Sequence, residues 1–209
     1  MRQFFIGLAL IIAGVTALML IPSKQQSAPM PWEISIMPDG NIKVFGIHLG
    51  STTYRHTQEL FHQFGKTAIF TQEDKPSSVE AFFDSIHLGG LSAKVVLNLA
   101  VPEKQLQTMI SRATEARLQP SGARRYELNN TDNAALINNP IIAITYIPSV
   151  RLDNNMVRHR FGTPDYIEHD IEAAGTEIWH YPTLGLGISL NDSEKTVLLY
   201  QSHSKQKVE

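Results

Sequence analysis

Cysteine is absent from the 209 residues. That excludes disulfides, thiolate-bound metals, a cysteine nucleophile and a lipid-modified N-terminal cysteine, so stability must come from a packed core. No Gly-x-Ser-x-Gly elbow occurs, although scattered Ser, His and Asp are present as in most chains of this length. No two of the eight histidines stand at the His-x-x-x-His spacing that puts two imidazoles on one helix face. The segment Gly46-Ile47-His48-Leu49-Gly50-Ser51 has spaced glycines before a helix but matches neither dinucleotide nor phosphate-loop spacing, so it reads as a strand-to-helix turn. Low-complexity sequence and charge excess are missing too. Of 18 basic side chains, Arg2 and Lys24 lie near the N-terminus, leaving 16 against 20 acidic ones. Nothing in that balance points to nucleic acid.

The longest apolar run is Phe4 to Ile21, 18 residues whose only strongly polar side chain is Thr16. As a helix it extends roughly 27 Å, close to the hydrocarbon thickness of a bilayer. A cleaved signal peptide would fit Val15-Thr16-Ala17 as a cutting site, but Leu18-Met19-Leu20-Ile21 carries the run past it. The expectation is therefore a single-pass anchor in a bacterial inner membrane, with the C-terminal part in the periplasm and the bilayer as one partner. The chain divides into that anchor (1–22), a polar tether (23–31), a first unit (32–100), a connecting helix with strands (101–150), a second unit (151–201) and a polar tail (202–209).

Within the units, Pro38-Asp39-Gly40-Asn41 is a turn between two strand-like runs, since Pro sets φ and Gly accepts positive φ. Helices are expected over about 52–64 and 103–116 and over the run from Asp153 to Phe161, with Asp153 as cap and Gly162 as stop. Leu91–Leu99, Ile141–Ile147, Leu186–Leu190 and Thr196–Tyr200 read as strands. Phe64-Gly65 echoes Phe161-Gly162 at an offset of 97, where Leu60, His62, Glu80, Phe82, Gly90 and Ser92 meet Val157, His159, Glu177, Trp179, Gly187 and Ser189. The fold class expected is α+β: an N-terminal transmembrane helix followed by two similar helix-on-antiparallel-sheet units.

Val157…Phe161-Gly162-Thr163-Pro164…Trp179-His180-Tyr181 resembles the repeat of the SmpA/OmlA-type small lipoproteins of the outer-membrane barrel-assembly machinery, similar in fold to the tandem repeats of β-lactamase inhibitor protein. The likeness covers 152–200 well and 46–99 less well, where Thr67 stands for Pro and Phe82 for Trp. It implies protein binding and assembly support without chemistry. The missing acylated cysteine keeps the outer-membrane role from carrying over.

Candidate partner-binding residues are Arg158 and Arg160 on the last helix and Trp179 and Tyr181, two apart on one strand face with His180 facing away. The bland alternatives are a solvated helix face and a core pair. The function expected is a non-enzymatic, membrane-anchored periplasmic protein that binds another envelope protein as assembly, scaffold or accessory subunit, with no cofactor. Two alternatives stay open: an envelope hydrolase gathering His48, His169, Asp170 and His180, with or without metal, and a small-ligand or lipid carrier.

Overall fold

The computed structural model describes residues 29–73, 75–88, 90–170, 173 and 175–203. Pro38–Asn41 turns β1 (Ser35–Ile36) back onto β2 (Ile42–Val44), which pairs with β3 (Ile47–His48) to make a small sheet of three strands. Helix α1 (Tyr54–Phe61) leads into β4 (Lys66–Gln72), β5 (Lys75–Leu88) and β6 (Leu91–Leu99). Helix α2 (Glu103–Ser111), β7 (Glu115–Leu118), β8 (Arg124–Glu127), α3 (Asn130–Ala135) and β9 (Ile141–Pro148) follow. The chain ends with α4 (Asn154–Phe161), β10 (Tyr166–His169), β11 (Glu177–Tyr181), β12 (Leu186–Leu190) and β13 (Val197–Gln201).

These strands do not form two units. Ten of them make one antiparallel sheet in the order β10-β11-β12-β13-β9-β6-β5-β4-β8-β7. The joint is β9, placed by the sequence reading in the connecting segment. It pairs with β6 on one side and β13 on the other, so backbone hydrogen bonds run unbroken across both halves. The architecture is mostly β-sheet with four short helices of six to nine residues among the described residues, which corrects the expected α+β pair of units.

The expected transmembrane helix and inner-membrane placement are corrected as well. No helix among the described residues is long and apolar enough to cross a membrane. The apolar run 4–21 lies outside the described residues, so the anchor, the periplasmic placement and the bilayer partner have no support.

One face of the large sheet is the core. Pairing sets Phe83, Val95, Tyr146, Leu198, Ile188 and Trp179 side by side across six strands, each at most 2% exposed. Burying such aromatic and branched side chains stabilises by roughly 1.5–3 kcal/mol each. Their cover is local and aromatic. Phe61 of α1 packs edge-on against Phe83 at 5.2 Å, and Phe161 of α4 lies 6.2 Å from Tyr181. Between them Phe45, beside the small sheet, meets Tyr146 at 4.9 Å and Tyr200 at 5.8 Å.

The two helix corners do share local geometry, at an offset of 100 and not 97. Thr53 caps α1 by accepting from the His56 N–H, and Asp153 caps α4 by accepting from Met156. Phe61 and Phe161 are the last helical residues, and His62 and Gly162 follow with φ of 50° and 85°. Phe64, the residue aligned with Phe161 at offset 97, is 87% exposed. The Phe-Gly echo misled because the positive φ after α1 is taken by a histidine, which removes the glycine that would mark the true register.

Candidate functional site

Strand alternation puts every second side chain of the ten-stranded sheet on the face away from the helices. The register lines up Lys66, Phe82, Val96, Thr145, Leu199, Gly187, His180 and Tyr166 in a single row over eight strands. None of the eight is buried. This face is uncovered among the described residues, while its reverse is the core.

The middle of the face is neutral: Val96, Asn98, Ala143, Thr145, Leu199, Gly187, Ser189 and Ile178 carry no charge. Charges lie around that neutral middle, on inner strands β5 and β6 as well as on the outer ones, and most are already paired. Lys94 meets Asp84 at 3.1 Å, Arg125 meets Glu127 at 2.8 Å, Arg117 meets Glu115 at 2.5 Å and His180 meets Glu168 at 3.2 Å. The hydrogen bond from Arg117 holds the Glu115 carboxyl below its ordinary pKa and raises that of the guanidinium. His180 also stacks on Tyr166, ring centres 4.3 Å apart and 12° from parallel.

Three of the depressions among the described residues border this face. One of about 760 Å³ is lined by Asn98, Ala143, Leu199 and Gln201 together with Glu103 and Leu106 of α2. A second, about 480 Å³, runs past Tyr166, His180 and Gly187 and shares Leu199, Gln201 and Ser202 with the first, so the two are neighbours. A third, about 330 Å³, lies among Lys66, Phe70, Phe82 and Val96. Gly187 sits low in this row, and a Cβ added there meets nothing within 4 Å.

The sequence-predicted binding set is divided by the fold. Trp179 and Tyr181 belong to the core face, 1% and 3% exposed. The Tyr181 hydroxyl donates to the Gly162 carbonyl at 3.1 Å, and the Trp179 indole donates to Glu177 at 2.9 Å. Burial pushes the Tyr181 phenol up; the Arg158 charge opposes that and Asp165 adds to it. Arg158 and Arg160 are exposed on the last turn of α4. Arg158 lies over the Trp179 ring at 4.7 Å and Arg160 over Trp32 at 4.3 Å. Trp32 meets Phe161 edge-on at 6.5 Å.

The residues of the hydrolase alternative are spread among separate partners. His48 contacts Asp39 at 3.0 Å, His180 contacts Glu168, His169 pairs across the strands with Glu177, and Asp170 accepts from the Ala173 N–H. Asp39 is held below the ordinary carboxylate pKa, chiefly by the Asn41 side chain. Among the described residues no group of three or more His, Asp or Glu is placed to hold a metal.

Sequence reasoning missed Phe82, Val96, Leu199, Gly187 and Tyr166 as surface. Their signal was there in part, because all but Tyr166, which follows Asp165, alternate with strongly apolar neighbours. Which of two apolar alternating sets faces inward is set by the helices that cover it. No family model, curated protein or solved structure matches this chain.

Proposed function

We propose that this protein is a non-enzymatic binding module that grips another protein across the uncovered face of its ten-stranded sheet, as a scaffold or accessory subunit. The carrying observation is the eight-residue row and its surroundings: Phe82, Val96 and Leu199 are half-buried near its middle, and most of the charges around it on the same face meet a counter-charge. Protein interfaces share that anatomy, with a core depleted of charge and a polar rim. Aromatic side chains at Phe82, His180 and Tyr166 suit the few anchors on which binding energy concentrates. Because most charges on this face already meet a counter-charge, recognition rests chiefly on apolar burial and changes little with salt.

Gly187→Arg tests this reading, since the new side chain enters open space and blocks the middle of the face. Native extracts of the producing cells are captured with the wild-type chain and with the variant, matched for circular dichroism and Tm. A protein enriched by wild type at low and high salt, and lost with Gly187→Arg, supports the proposal. Equal enrichment by both chains, or none by either, overturns it.

A further inference from the structure

The opposite side of the molecule carries a second surface of different chemistry. Helix α4 buries only Val157 completely, while Arg158, His159 and Arg160 occupy its last turn, exposed. Among the other described arginines, Arg112, Arg117 and Arg125 meet the carboxylates of Asp132, Glu115 and Glu127, while Arg55, Arg124 and Arg151 form no ion pair and stack on no aromatic ring. Arg158 and Arg160 form no ion pair among the described residues. Each instead lies on an indole, Trp179 and Trp32. A guanidinium stacked on a ring keeps its in-plane N–H donors free, and the stack removes rotamer freedom before any ligand arrives. Positions 158 and 160 fall about 200° apart around a helix, so the two cations flank α4 and His159 sits on the crest between them.

We infer that this arginine-flanked helix end docks an acidic segment of a partner protein, its carboxylates bridging from Arg158 across His159 to Arg160. Charge complementarity selects the occupant: two fixed, unpaired guanidinium groups ask for carboxylates in bidentate geometry. Helix polarity favours the arginines at this end but provides no counter-ion for them. The inference is independent of the uncovered sheet face, which lies on the other side of the sheet and recognises neutral surface.

The chain has two tryptophans, and each lies beneath one of these arginines. Tryptophan fluorescence therefore reports directly on the site. The probe is a short oligoglutamate peptide, titrated into the full chain at low ionic strength. Expected is a saturable emission change, weakened several-fold at about 0.3 M salt as screening shortens. Arg158→Gln with Arg160→Gln should weaken binding at least tenfold, and Gly187→Arg should leave it unchanged. If the double variant loses its fold by circular dichroism, Arg160→Gln and Arg160→Lys alone decide the matter: Gln weakens binding, and Lys keeps part of the affinity while uncoupling it from Trp32. The inference is overturned by no saturable change, by equal affinity in the arginine variants, or by binding to anionic lipid vesicles in place of the peptide.

Discussion

A single atom decides position 65. A Cβ on Gly65 would lie 2.7 Å from the Phe83 ring and 3.0 Å from the Tyr54 hydroxyl, which itself donates to the Gly65 carbonyl at 3.1 Å. The ring is clamped by Phe61 and cannot yield cheaply, so Gly65→Ala should cost about 1–3 kcal/mol, read as a lowered urea midpoint. Tyr146 presents the reverse case. Its hydroxyl is buried with no hydrogen-bond partner among the described residues. Tyr146→Phe should be neutral or raise stability by up to about 1 kcal/mol, because an unpaired buried hydroxyl is a penalty removed. Burial also pushes its phenol from 10 up to about 12, and pushes Tyr200 up as well. The folded state then holds protons that the unfolded chain releases, so stability is full below pH 10 and falls as pH climbs toward 12. Urea midpoints across that range should show the fall, and Tyr146→Phe should make it shallower.

At the scale of elements, the two helix corners differ in one informative place. Gly162 takes its positive φ freely, whereas His62 takes φ 50° at the cost of crowding its Cβ. His62→Gly should stabilise by about 1 kcal/mol, checked by thermal unfolding; a drop in Tm would mean that the His62 ring makes a compensating contact. The caps were legible in advance at Asp153, since a short acceptor before a periodic run has few other uses. The extent of α2 was not. Leu106, Met109, Ile110 and Ala113 continue a helical spacing, yet the helix stops at Ser111 and Glu115–Leu118 becomes edge strand β7. Pairing with β8 outweighs a weak helical preference over four residues.

For the whole molecule, continuity of the sheet has a thermodynamic consequence. Strands from both halves share β9, whose Ile144 and Tyr146 are fully buried. Urea unfolding followed by tryptophan emission and by far-ultraviolet circular dichroism should therefore coincide in one transition. Two separated transitions, with the Trp179 side melting apart from the β4–β6 side, would contradict a single cooperative sheet. The same continuity creates the uncovered face, since two separate units would not present an unbroken row of eight strands.

What the sequence determined by itself was local: the Pro38–Asn41 turn, the Asp153 cap, the Gly162 stop, the alternation of Leu91–Leu99 and Leu186–Leu190, and the lack of any cysteine chemistry. These depend on a residue and its near neighbours, where backbone sterics and side-chain hydrogen bonds act. Tertiary structure alone decided that β9 joins the halves, that Trp179 and Tyr181 turn inward, and that Leu199 and Gly187 look outward. A strand's pairing partners and its buried face depend on contacts tens of residues away, and a period of two marks two faces without saying which of them the helices will cover.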